Sequence, residues 1–134
     1  MAKTYIFKYS IKDKHLDSYG HVNHASYLNL FEDARWALLE EHGQGHETVM
    51  SQRMGPIITE CHIRYRRELR LDEPILIHST FRSPLNKHLM IVDQKIIKED
   101  GMVACVAEFK MGLMDLDGRA LVAINEHWLQ IINT

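Results

Sequence analysis

A carboxylate, three imidazoles and a glycine crowd into thirteen residues, His15-Leu-Asp17-Ser-Tyr-Gly20-His21-Val-Asn23-His24-Ala-Ser-Tyr27. Asp17 lies a few residues ahead of a predicted helix, and Gly20 lets the chain turn tightly between them. His21, Asn23 and His24 add polar groups, and a helix N-terminus carries backbone N–H donors without intrahelical partners. A carboxylate beside such donors is equipped for acyl transfer. One group activates water or attacks a carbonyl carbon, and the donors hold the oxyanion that forms. The same spacing also fits a plainer reading, a turn followed by a helix cap. Asp-x-x-Gly ahead of a helix is common, so spacing leaves both readings open.

The elements around this segment must position it. Residues 4–11 are rich in aromatic and β-branched types and predict a strand. From Tyr27 the period changes: Tyr27, Leu28, Phe31, Ala34, Arg35, Leu38 and Leu39 recur at helical spacing. Ser26 or Asn23 is the expected cap, and Gly43 and Gly45 follow His42 at the far end. That predicts about 16 residues of helix, with an apolar stripe wide enough to be wrapped by other structure. The remainder reads as β. Residues 57–66 alternate, with Ile57, Thr59, Cys61, Ile63 and Tyr65 on one face and Glu60, His62, Arg64 and Arg66 on the other. Strands follow over 75–82, 88–98 and 102–115, with a short one near 120–122. Pro84-Leu-Asn86-Lys87 and two Asp-Gly turns at Asp100 and Asp117 separate them. Asn125 caps a last short helix, 126–132. One helix and an antiparallel sheet of five or six strands make an α+β domain spanning 1–134. A sheet covered by a single helix gains by pairing with a second copy, so a homo-oligomer is expected.

Composition narrows the function. The 134 residues carry 46% hydrophobic and 25% charged side chains and a formal net charge of -2. That balance gives no general attraction to nucleic acid or to an anionic membrane. No stretch reaches the roughly 18 apolar residues of a membrane span, and Met1 to Tyr5 lack a signal peptide's apolar region. The cytoplasm is the expected compartment. Cys61 and Cys105 both sit in apolar stretches and read as reduced core thiols. Neither Cys-x-x-Cys nor His-Glu-x-x-His occurs, and Cys61 and His62 point to opposite faces of one strand, so no metal site is expected.

Asp17-Ser-Tyr-Gly20-His21-Val-Asn23-His24-Ala-Ser-Tyr27, followed by Phe31-Glu-Asp-Ala-Arg35, resembles the signature of the 4-hydroxybenzoyl-CoA thioesterase-like branch of the hotdog superfamily. Gly55-Pro56-Ile57-Ile58 and Ile63-Arg64-Tyr65 continue the likeness, and the element pattern agrees to about residue 122. The resemblance implies a hotdog fold, in which one long central helix is wrapped by a curved antiparallel sheet and protomers pair into dimers or tetramers. It implies hydrolysis of an acyl-CoA thioester to a free acid and CoA, without metal or redox cofactor. Asp17 matches the family's catalytic carboxylate, nucleophile or general base. The amide around His24 matches the donor that polarises the thioester carbonyl. Asn23 and His24 join Asp17 as expected catalytic positions. Gly20, His21, Tyr27, Glu60, Arg64, Arg66 and His88 are expected to bind substrate.

The sequence departs from that pattern at four places. His24 stands for the second Asn of Val-Asn-Asn, His15 for an acidic residue, Arg67 for a frequent proline, and His88 for a small hydroxyl residue. Arg64, Arg66, Arg67 and Arg70 form a basic run that is either a solvated strand face or a grip on CoA phosphates. Lys87 and Arg82 are further candidates for that grip. Interleaved acidic residues argue against nucleic acid. Most of the seven methionines read as core. Glu32 is expected to pair with Arg35 at i,i+3. A non-catalytic acyl-thioester binding protein, or a thioesterase acting on an acyl carrier protein, fits the same fold.

Overall fold

The computed structural model describes residues 3–133. Met1, Ala2 and Thr134 lie outside the described residues, and with them two positions of the N-terminal reading. The elements run β1 (Thr4–Ser10), a single 3-10 turn (Asp13–His15), α1 (Ser26–Glu41), α2 (His46–Gln52), β2 (Met54–Tyr65), β3 (Pro74–Phe81), β4 (Leu89–Lys98), β5 (Val103–Asp115), β6 (Ala120–Val122) and α3 (Glu126–Ile132). The strands form one antiparallel sheet in the order β1-β3-β4-β5-β2, and β6 pairs with the end of β5. This is the expected hotdog arrangement, with the sheet left open.

Alternation along the strands sends one face to the helix. In β3, Ile75, Ile77, Ser79 and Phe81 are buried. Tyr27, Leu30, Phe31, Ala34, Leu38 and Leu39 supply the helix side of the same core. Phe31 meets Phe109 of β5 edge to face, with ring centroids 5.6 Å apart. Removing a ring of this kind costs about 3–5 kcal/mol.

Arg35 does not pair with Glu32. It belongs to the buried stripe of α1, whereas Glu32 stays exposed. Its Nη1 donates to Gln94 Oε1 at 2.9 Å, and the guanidinium lies 4.3 Å from the Phe109 ring centre. Gln94 in turn donates to the Phe31 carbonyl and to Ser79 Oγ. Burial pulls the guanidinium down to about 10.

Four other expectations change. The N-cap of α1 is Ala25, already helical, and no side chain caps it; Asn23 instead accepts from the Ser26 amide through its carbonyl. Gly43, at φ +73°, ends α1, but Gly45 opens α2, a helix without an amphipathic signature because only Val49 is buried in it. β2 begins at Met54, three residues earlier than the alternation indicates. Cys105 is buried, its thiol pushed up to about 12 by desolvation, whereas Cys61 is exposed because it lies on β2, an edge strand of the sheet. Asn125 caps α3 as expected, accepting from the Trp128 amide at 3.0 Å. Among the described residues, no helix is long and apolar enough to cross a membrane.

Candidate active site

The chain leaves β1 through buried Ile11, makes the 3-10 turn, and then closes a small loop. Leu16 and Val22 pair as an isolated antiparallel bridge, and the Asp17 amide donates to the His21 carbonyl at 3.0 Å. The turn at the tip puts Gly20 at φ +81°, where a side chain would be strained, and its amide returns to the Asp17 carbonyl. Asp17 Oδ1 accepts from the Tyr19 amide at 2.9 Å. Two backbone bonds moor the loop: Asn23 N–H donates to the His15 carbonyl and Val22 N–H to the Leu69 carbonyl, both at 2.9 Å.

A cleft of about 370 Å³ opens beside this loop. The loop contributes Asp17, Tyr19, His21, Val22 and His24, and α1 contributes Tyr27. The opposite wall is Tyr65, at the end of β2, with Arg66, Arg67 and Glu68 after it. Tyr65 donates its hydroxyl to the His24 carbonyl at 2.9 Å, and its ring stands nearly perpendicular to that of Tyr27 at 5.1 Å. Burial pushes the Tyr27 phenol up to about 12. The His24 amide, one residue before the cap, donates to no protein acceptor among the described residues. The cleft therefore places a located carboxylate and a backbone donor against one volume.

A model of the thioesterase-like superfamily matches residues 11–132. The chain belongs to that superfamily. Long-chain acyl-CoA thioesterase FadM of Escherichia coli is 30% identical over 115 residues, 85% of this chain and 86% of that one. Acyl-CoA thioester hydrolase YbgC of the same species is 27% identical over 103 residues, 71% of this chain and 76% of its own. A 1,4-dihydroxy-2-naphthoyl-CoA thioesterase from Synechocystis superposes with a TM-score of 0.88 at 15% identity, over 98% of this chain and 96% of that one, a likeness of fold. Thioester hydrolysis is the reaction class of this thioesterase-like chain.

Of the predicted site residues, Asp17, His21, His24, Tyr27 and Arg66 line the cleft together. Gly20 and Asn23 shape its loop without lining it. Glu60, Arg64 and His88 lie elsewhere on this chain. Glu60 pairs with Lys110 on the face of the sheet away from α1. Arg64 shares that face with His62, Asp93 and Glu108, and His88 sits in the β3–β4 loop. Arg82, offered for CoA phosphates, is held by Asp93 at 2.7 Å and Glu108 at 2.5 Å. Among the described residues, no three His, Cys, Asp or Glu side chains converge as metal ligands. Sequence reasoning passed over Tyr19, Tyr65 and Glu68 as site residues. The alternation of β2 could have placed Tyr65 on the helix side; nothing local marks Glu68.

Proposed function

We propose that this thioesterase-like protein hydrolyses acyl-CoA esters in the Asp17 cleft, with Asp17 as the catalytic carboxylate. The observation that carries the reading is the meeting of Asp17 and the unpartnered His24 amide in one cleft. In the general-base form, Asp17 takes a proton from water and the resulting hydroxide adds to the thioester carbon. The carbonyl oxygen becomes an oxyanion that the His24 amide stabilises. The C–S bond breaks, and the CoA thiolate takes the proton from Asp17, giving free acid and CoA. In the nucleophilic form, Asp17 adds to the same carbon, expels CoA thiolate, and leaves an anhydride that water cleaves. Single turnover in ¹⁸O-water separates the two, because only the anhydride route can leave label in the Asp17 carboxylate.

Arg66 and Arg67, on the far wall, have the fork geometry that suits phosphate, which favours CoA over a carrier protein as the acyl donor. Tyr19, Val22, Tyr27 and Tyr65 supply apolar surface for the acyl group. Arg64, Glu60 and His88 bind substrate, on this reading, only where a second protomer brings them to a cleft. The chain acts as one unit over 1–134 and pairs with itself, because β2 presents an open edge and exposed Ile58 and Tyr65. The phosphate charges of CoA esters do not cross a bilayer unaided, which supports action in the cytoplasm.

Thiol release from short, long and aromatic acyl-CoAs tests the reading, with Asp17→Asn beside the wild type. A loss of about a thousand-fold in the variant with its fold intact is expected. Undiminished turnover by Asp17→Asn would remove Asp17 from the reaction, and no release from any ester by the wild type would remove the acyl-CoA reading.

A further inference from the structure

Glu68 lies far from Asp17 in sequence, yet both carboxylates reach the same imidazole. His21 Nδ1 is 3.5 Å from Glu68 Oε1, and His21 Nε2 is 3.6 Å from Asp17 Oδ2. We propose that Glu68 is a positioning residue for the reaction: acting through His21, it holds the Asp17 carboxylate in register with the cleft. The inference rests on the acyl-CoA thioesterase reading above.

The arrangement is built from both sides. Val22 N–H donates to the Leu69 carbonyl, which staples the Asp17 loop to the residue beside Glu68, and Leu69 is fully buried. Lys98 Nζ donates to the Glu68 carbonyl at 2.7 Å and pairs with Glu73 at 3.0 Å, fixing the loop after β2 from below. Arg70 Nη1 lies 3.4 Å from Glu68 Oε2, so the two carboxylate oxygens face different partners. Carboxylates only accept hydrogen bonds, so Glu68 and Asp17 draw the two nitrogen edges of the ring and fix its plane between them. The ring is thereby oriented with Nε2 at Asp17 Oδ2. With Tyr19 N–H on Oδ1, both oxygens of Asp17 are located. The Tyr19 ring packs edge-on against His21 at 5.8 Å, and Arg66, Arg67, His24, Tyr27 and Tyr65 complete the surroundings in the cleft. An exposed ion pair of this kind adds little to stability, so its effect belongs in the kinetics.

The test is steady-state thiol release on the acyl-CoA that the wild type turns over fastest, with Glu68→Ala, Glu68→Gln, His21→Asn and the double variant Glu68→Ala/His21→Asn. Glu68→Ala is expected to lower kcat about ten-fold with KM nearly unchanged. Glu68→Gln, whose amide oxygen still accepts a hydrogen bond, is expected to keep most of kcat. The double variant is expected to match His21→Asn, because Glu68 acts only through that ring. Full kcat in Glu68→Ala, a rise in KM alone, an equal loss in Glu68→Gln, or losses that multiply in the double variant would each overturn the proposal. Glu68 is half exposed, so the variants should melt as the wild type does. An inactive wild type would instead defeat the acyl-CoA reading and this inference with it, whereas a normal Glu68→Ala beside an active wild type defeats the inference alone.

Discussion

His15 shows how a single side chain ties acid stability to the site. It is 3% exposed, its Nδ1 faces the Lys12 amide at 3.4 Å, and its carbonyl holds Asn23. Desolvation, then the charge of Lys14, lowers its pKa below the usual 6.5. Above that value the ring is neutral in both folded and unfolded chains. As pH falls through it, the unfolded chain binds the proton first, and stability drops until the folded ring also protonates. His78, lowered by burial and by Lys95, adds in the same direction. The melting temperature should therefore fall between pH 7 and pH 5, and His15→Gln should show a smaller fall. Tyr65→Phe makes a second test at this scale. Losing the bond to the His24 carbonyl should cost about 1 kcal/mol of stability and lower kcat several-fold, read by melting and thiol release. At this scale the sequence was legible where a motif gathers residues locally, as Asp17 and His24 do on one cleft wall. It was silent at Glu68, which reaches the same cleft through a staple between residues 22 and 69.

At the scale of elements, alternation and turn chemistry carried most of the fold. The hairpin between β4 and β5 turns at Gly101, φ +89°, as Asp-Gly requires. At the second Asp-Gly the left-handed residue is Arg119, one place beyond the glycine. α2 escaped notice because seven residues with one buried side chain leave no periodic stripe. Its seat is nonetheless tight: a Cβ on Gly55 would stand 2.4 Å from Val49 Cγ1. Gly55→Ala should destabilise the protein by about 1–3 kcal/mol, and Val49→Ala in the same chain should restore part of it, read by denaturant midpoints. Asn125→Ala should cost about 1 kcal/mol through the lost cap of α3, with turnover unchanged.

At the scale of the whole molecule, the sheet has its helix over one region and an open edge at β2. The register slips between Ile58 and Glu60, a bulge that alternation read as an unbroken strand could not reveal. Beyond it Cys61 and Tyr65 lie opposite the buried Phe109 and Cys105 of β5, on the helix side of the sheet, yet both are exposed in one chain because β2 is an edge strand. Sedimentation should give a dimer or larger, and Ile58→Lys should shift it toward monomer.

Tyr65 has a further consequence. It ends the open-edged strand and also donates to the carbonyl of His24, whose amide is the oxyanion donor in the proposed mechanism. On the proposed function, pairing along β2 and polarisation of the substrate are thus joined through one phenol. Two events coupled in this way must obey reciprocity: whatever association adds to substrate affinity, substrate adds to association. Turnover per chain will then depend on how concentrated the protein is, and substrate will slow the separation of its subunits.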